Sequence, residues 1–132
     1  RSATESFDRV LFLSAHGGNA GPLAAAVARL RAEGRDVRAF APRFGGDAHA
    51  GRTETSLLLH LRPRLVRPGA EPGDTRPLAE LLPALRRGGV TAVSPNGILG
   101  DPTAASAAEG DALLDVLAAD LAAAVADWRR AR

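Results

Sequence analysis

An α/β fold with parallel strand pairing is what this sequence predicts. Three observations carry the expectation. An apolar run at Val10 to Leu13 leads into a helical pattern and then into a second apolar run at Val37 to Ala41. Strand, helix and strand in about 30 residues make a βαβ unit, which requires parallel pairing and a right-handed crossover. The chain then closes on an alanine-rich helical stretch, "TAASAAEGDALLDVLAADLAAAVADWRR".

The elements follow in order. Val10 to Leu13 is short and apolar throughout, as a buried strand is. Asn19 to Glu33 places Leu23, Val27 and Leu30 on one helical face, with Gly34 as the stop and Asn19 placed to cap the start. Val37 to Ala41 is the second strand. After the loop "PRFGGDAHAGR" comes a helix from about Thr53 to Leu61, ended by Pro63. Residues 64–90 are rich in Pro and Gly and read as surface loop, with at most a short helix in "LAELLPALRRGG". Val90 to Val93 is expected as a third strand. "SPNGILGDPT" is a further loop, and the last helix starts near Pro102 or Thr103. Three loops, "SAHGGN", "GGDAHAGRTE" and "SPNGILGDP", thus each follow a strand and lead toward a helix. In open parallel sheets such loops gather at the carboxyl edge, where ligands bind.

Composition narrows the function classes. The length of 132 residues suits one domain, residues 1–132. The isoelectric point of 10.8 reflects the absence of Lys, Tyr and Cys, because the net charge is only +2. The arginines are mixed with acids and lack the aromatic interleaving of a nucleic-acid surface, so no nucleic-acid partner is expected. No apolar run approaches the roughly 20 residues that span a bilayer, so no membrane partner is expected either. Without cysteine there is neither a disulfide nor a thiolate metal site. With no signal peptide visible, the expected location is the cytoplasm. The sequence also contains no methionine, which gives the expectation of a processed chain or a piece of a longer one.

The polar residues of the loops are the candidate chemistry. His16 stands at the lip of the first strand, with Gly17 and Gly18 beside it and Asn19 after them. The plain reading is a tight strand-to-helix turn. The functional reading is an imidazole ligand beside backbone that approaches a substrate closely. "GGDAHAGRTETS" brings Asp47, His49 and Glu54 within eight residues. Imidazole and carboxylate are donors that divalent cations use in hydrolases, while Glu54 in a first turn also suits the helix dipole. His60, Asp74 and Asp111 read as surface residues. No phosphate-binding glycine loop with a following lysine and no serine-hydrolase elbow is present.

"HGGN" after a strand, "HAGRTETS" some thirty residues on and "GILGDPTAASAAEG" before the last helix resemble, in order and spacing, the creatininase (creatinine amidohydrolase) family. The stretch from Gly45 to Gly110 is most similar to the branch that processes the mycofactocin precursor peptide. The resemblance implies a three-layer sandwich on a mainly parallel sheet, with this chain matching the C-terminal half of the family domain. It implies a metal-dependent hydrolase of C–N amide bonds, using one or two ions of zinc or ferrous iron. His16 and Glu54 match metal ligands and His49 matches an acid–base group. Gly17, Gly18, Asn19 and Asp47 are the candidate substrate-binding residues. The implied substrate is a peptide or a small amide such as creatinine. The implied partner is a second copy in a homo-oligomer or a complementary N-terminal segment. A truncated, non-catalytic domain acting through association is the alternative from a different class.

Overall fold

The first apolar run forms strand β1, Arg9–Leu13, after a single-turn helix α1, Ala3–Ser6, that the sequence reading did not anticipate. A short 3-10 turn, Gly17–Asn19, leads into helix α2, Ala20–Ala32, and then into strand β2, Asp36–Phe40. The structure is a computed structural model that describes residues 1–131. It divides into one unit of Arg1–Arg43 with the C-terminal stretch from Ala119, and another of Phe44–Ala118.

In the first unit β1 and β2 pair in parallel, in a register running from Arg9 opposite Asp36 to Leu13 opposite Phe40. Alternation along the strands sorts their side chains onto two faces. Val10, Phe12, Val37 and Ala39 share one face. Helix α2 packs against β2, and Val27 and Val37 are buried. Arg9, Leu11, Asp36 and Arg38 share the other face, which meets the last turns of helix α5, Ala107–Arg130. There Trp128 is buried and donates its indole N–H to Asp36 Oδ1 at 2.9 Å. The guanidinium carbons of Arg9 and Arg38 lie 5.5 and 5.2 Å from its ring centroid. Arg9 also donates to the Trp128 carbonyl at 3.1 Å and pairs with Asp36 Oδ2 at 2.9 Å. Helix, parallel sheet and helix are the three layers expected of the fold. With few aromatics available, one indole and two cations over it close the second face. Each such cation contact is worth about 0.5–2 kcal/mol, depending on how far it is desolvated.

The second unit holds helix α3, Arg52–Leu61, a 3-10 turn at Pro63–Leu65, helix α4, Leu78–Gly88, and the start of α5 up to Ala118. Helix α4 is longer than the short helix expected, even with Pro83 inside it. Good helix formers flank the proline, and Leu81, fully buried, anchors the helix. The third strand expected at Val90 to Val93 is not formed. Val90–Ala92 is a 3-10 turn, closed by Ala92 N–H to Gly89 O and Val93 N–H to Val90 O. A four-residue apolar run needs a neighbouring strand to pair with, and without one the backbone satisfies its bonds locally. Helix α5 begins at Ala107 rather than near Pro102. Ser106 sets the start, its hydroxyl accepting the Glu109 N–H at 3.2 Å. Among the described residues no helix is long and apolar enough to cross a membrane.

Candidate functional site

Two of the three polar loops meet in the second unit. His49 and Leu99 form an isolated antiparallel bridge. The Leu99 N–H donates to His49 O at 2.8 Å, and the N–H groups of Ala48 and His49 donate to Leu99 O at 3.0 and 3.2 Å. The backbone carrying the imidazole is therefore fastened to the loop that precedes α5.

Glu54 stands in the first turn of α3 and folds back over the preceding loop. Its Oε2 accepts the Ala50 N–H at 2.6 Å and lies 3.3 Å from His49 Nδ1. Ala50 is the non-glycine residue at positive φ, 51°, among the described residues. Such a conformation persists only where its surroundings over-determine it, and it concentrates at functional sites. Here Glu54 and the His49–Leu99 bridge hold it on both sides. Both members of the pair are about half exposed, His49 at 52% and Glu54 at 54% of side-chain surface, so a ligand can reach them.

Asp47 builds the turn under this pair. Its Oδ2 accepts the N–H of Arg52 at 2.5 Å and of Asp101 at 3.3 Å, and its Oδ1 accepts that of Thr53 at 3.1 Å. Burial pushes the carboxyl up, but the N–H groups of Arg52, Thr53 and Asp101 together outweigh it, and the pKa lies below the ordinary aspartate value. Gly100, at φ 146°, is required beside it, since a Cβ there would run into the Asp47 side chain. One carboxylate thus caps α3 and ties its start to the loop after Leu99. Asp101 shapes that loop in turn, accepting from the N–H and hydroxyl of Thr103 at 2.9 and 2.6 Å.

A second set of polar contacts, not foreseen from the sequence, joins α3 to the start of α5. Arg52 Nε donates to both oxygens of Glu109 at 2.8 and 3.0 Å. Ser56, fully buried, donates to Glu109 Oε2 and accepts the Ser106 N–H, both at 3.1 Å. The hydrogen bond from Arg52 holds the Glu109 carboxyl below its ordinary pKa, burial opposes it, and the Ser56 hydroxyl adds to the lowering. The local signal was available, because Ser106 and Glu109 have the S-x-x-E spacing of a capping box. The partners Arg52 and Ser56 lie some fifty residues away in sequence and carry no such signal.

His16 lies in the first unit, exposed, at the residue before the 3-10 turn. Gly18 makes room for it: a Cβ at that position would lie 2.6 Å from His16 Nε2. Gly17 has open space around it. Asn19 does not cap α2 with its side chain as expected; its Nδ2 donates to Ser14 Oγ at 3.2 Å. The turn is thus closed by a bond back to the end of β1. His60 sits 3.7 Å from Asp111 Oδ1 at the surface. Asp74, expected as a solvated surface acid, is instead only 12% exposed and accepts from Arg76 Nη2 at 2.6 Å.

In kind, the imidazole of His16 and the carboxylate of Glu54 are donors that a divalent cation takes, and the imidazole of His49 beside Glu54 is a third of the same kind. The Asp47 oxygens are taken by backbone N–H groups. Among the described residues no group of three or more His, Asp or Glu side chains is arranged to hold a metal ion.

The family model described as Creatininase: Creatinine amidohydrolase matches residues 1–125. The mycofactocin precursor peptide peptidase of Mycobacterium ulcerans (strain Agy99) is 52% identical over 130 residues, covering 97% of this chain and 52% of that protein. The protein of the same name from Mycobacterium tuberculosis (strain H37Rv) is 51% identical over 131 residues, covering 97% and 52%. That from Mycolicibacterium smegmatis is 49% identical over 133 residues, covering 98% and 53%. The chain spans about half the length of the curated relatives it matches. A solved structure from Bacteroides fragilis NCTC 9343, described as a creatinine amidohydrolase, superposes with a TM-score of 0.71 at 22% identity, over 96% of this chain and 56% of the other. At that identity the likeness speaks for the fold.

Proposed function

Because the chain belongs to the creatininase family, we propose that it carries part of a metal-dependent hydrolase of amide bonds acting on a modified ribosomal peptide, a reading supported by its likeness to proteins named mycofactocin precursor peptide peptidase. The observation that supports this most is the His49–Glu54 pair, held over a strained Ala50 in a chain about half identical to those peptidases. In this reading residues 1–132 are one partial catalytic domain located in the cytoplasm. It works as a homo-oligomer or with a complementary N-terminal segment.

The residues divide the work. His16 and Glu54 are the metal ligands the reading assigns, with zinc or ferrous iron as the cation. Such an ion, when bound, lowers the pKa of a water and polarises the scissile carbonyl. Glu54 uses Oε2 on the Ala50 N–H and faces His49 with it, so its orientation is set before any ligand arrives. His49 gives a proton to the leaving amine from Nε2 and takes one from the attacking water. The "HGGN" turn, Gly17, Gly18 and Asn19, offers backbone for the substrate to approach. Asp47 contributes to the substrate pocket through the shape it imposes on the Leu99–Thr103 loop.

The test is hydrolysis itself. The purified chain, loaded with zinc or ferrous iron, is incubated with the modified precursor peptide and separately with creatinine, and products are read by mass spectrometry. We expect peptide cleavage that a chelator abolishes, weak for the chain alone and raised when the residues of the Mycolicibacterium smegmatis relative outside the match are supplied as a separate polypeptide. Glu54→Gln and His49→Ala should each lower kcat/KM by at least about 100-fold, near 2.7 kcal/mol. Cleavage indifferent to chelation and to Glu54→Gln sinks the reading, and turnover of creatinine alone moves it to a small cyclic amide. A second reading, a non-catalytic domain acting by association, is favoured by one observation: fewer than three metal donors come together among the described residues of a chain half as long as its relatives.

A further inference from the structure

Residues 71–74, expected as part of a surface loop, are fastened to the strip of backbone that carries the candidate site. Leu99 turns its N–H and its carbonyl toward Ala48 and His49. Its two neighbours turn the other way. Ile98 O accepts the Asp74 N–H and Gly100 O accepts the Gly73 N–H, both at 3.0 Å. In an extended chain neighbouring residues offer their backbone bonds to opposite sides. The strip from Ile98 to Gly100 is therefore bonded to His49 on one side and to Gly73 and Asp74 on the other. The second approach is close: a Cβ on Gly73 would run into the Ile98 carbonyl oxygen.

Asn96 ties the two segments together. Its Nδ2 donates to the carbonyls of Pro72 and Glu71 at 3.1 and 3.4 Å. Its Oδ1 accepts the Ile98 N–H at 3.1 Å and the hydroxyl of the buried Ser94 at 2.7 Å. The amide's nitrogen meets only acceptors and its oxygen only donors, so this carboxamide fits in one orientation. His49 needs such support. Its side chain is 52% exposed, so little packing orients it, and the left-handed turn at Ala50 follows it at once. An imidazole placed this way takes its direction from its backbone.

We infer that Asn96 and Gly73 are positioning residues for His49: they lock residues 71–74 against Ile98–Gly100, and the locked strip, through Leu99, fixes the backbone that presents the imidazole. That His49 moves protons rests on the hydrolase reading; that its backbone is held in this way does not.

The test pairs Asn96→Asp with Gly73→Ala. Asn96→Asp keeps the size and the acceptor oxygen but sets a carboxylate oxygen against the Glu71 and Pro72 carbonyls. Trp128→Phe, in the other unit, controls for a general loss of stability. The chain has three histidines, so the Cε1–H proton resonance of His49 is assigned by its loss in His49→Ala. That resonance should shift in Asn96→Asp and Gly73→Ala and stay in place in Trp128→Phe. Hydrogen exchange of the Leu99 amide, which bonds His49 O, should quicken at least about tenfold in the first two variants alone. In the hydrolysis assay their kcat should fall about 10- to 100-fold with KM within about twofold. A His49 resonance and a Leu99 exchange rate that keep their wild-type values in folded Asn96→Asp overturn the inference. So does an equal loss of kcat in Trp128→Phe, or a rise in KM at unchanged kcat. If Gly73→Ala does not fold, Asn96→Asp decides alone. A wild type that cleaves nothing sinks the hydrolase reading, and the resonance and the exchange rate still decide how His49 is held.

Discussion

In the first unit a single indole touches both strands: Trp128 bonds Asp36, lies beneath Arg9 and Arg38, and receives Arg9 on its carbonyl. In the second unit the fully buried side chains are Leu81 and two serines, Ser56 and Ser94, and among the described residues no strand pair forms there beyond the bridge at His49. The first is held by apolar burial and a sheet register. The second is held by side chains that close backbone loops: Asp47 on three N–H groups, Asp101 on Thr103, and Asn96 on Ser94 and Ile98. The contrast shows where chemistry can sit. A loop fastened by bonds to its own backbone presents an exposed imidazole and carboxylate in fixed geometry, which a greasy core would instead bury.

If that contrast is right, the largest loss comes from the first unit. Trp128→Ala should cost about 4 kcal/mol in urea unfolding, from lost area and the cavity left behind. Trp128→Phe keeps the packing and should lose about 1 kcal/mol, from the bond to Asp36. A loss below 1 kcal/mol for the alanine variant would mean that the indole is not what closes that face.

Asp47→Ala should come next, at roughly 2 kcal/mol, since it removes a helix cap and leaves N–H groups without a partner. Asp47→Asn should cost less. The pH dependence has a definite sign. A folded pKa below the unfolded one makes the stabilisation complete above the ordinary aspartate range, and it fades as the pH falls through the lower folded value. Protection of the Arg52, Thr53 and Asp101 amides, taken relative to their intrinsic exchange rates, should therefore fall on acidification, and Asp47→Asn should remove that response. Equal acid sensitivity in the wild type and the asparagine variant would place the effect elsewhere.

Smallest is Ser56→Ala, at about 1–1.5 kcal/mol, from one buried hydroxyl that both donates and accepts. Its informative readout is the local exchange of the Ser106 amide. No change there would remove Ser56 from the network that joins α3 to α5.

Both strands of the first unit, the crossover helix and the start of α3 were legible within a residue or two. His49 and Glu54 do lie side by side, because the left-handed turn at Ala50, whose N–H bonds Glu54 Oε2, folds the first turn of α3 back toward the imidazole. The strand expected at Val90 was misread, since apolar character says that a segment seeks burial and not that a partner strand is there. Asp47 was read as a group facing substrate; its bonds to three backbone N–H groups add a structural role that its sequence neighbours did not announce. Ser56 went unnoticed altogether, a small hydroxyl with nothing in its neighbours to mark it.

By itself the sequence determined what short range controls: the periodicity of β1, α2 and β2 and the start of α3. These depend on bonds and side chains within a turn or two of each other. Tertiary structure alone decided that Asp47 would reach Asp101, that Ser56 would serve Glu109, and that Trp128 would close the sheet face over Arg9 and Arg38. Hydrogen bonding and burial across fifty to a hundred residues are chosen by which loops and helices have packed side by side, and no local pattern encodes that choice.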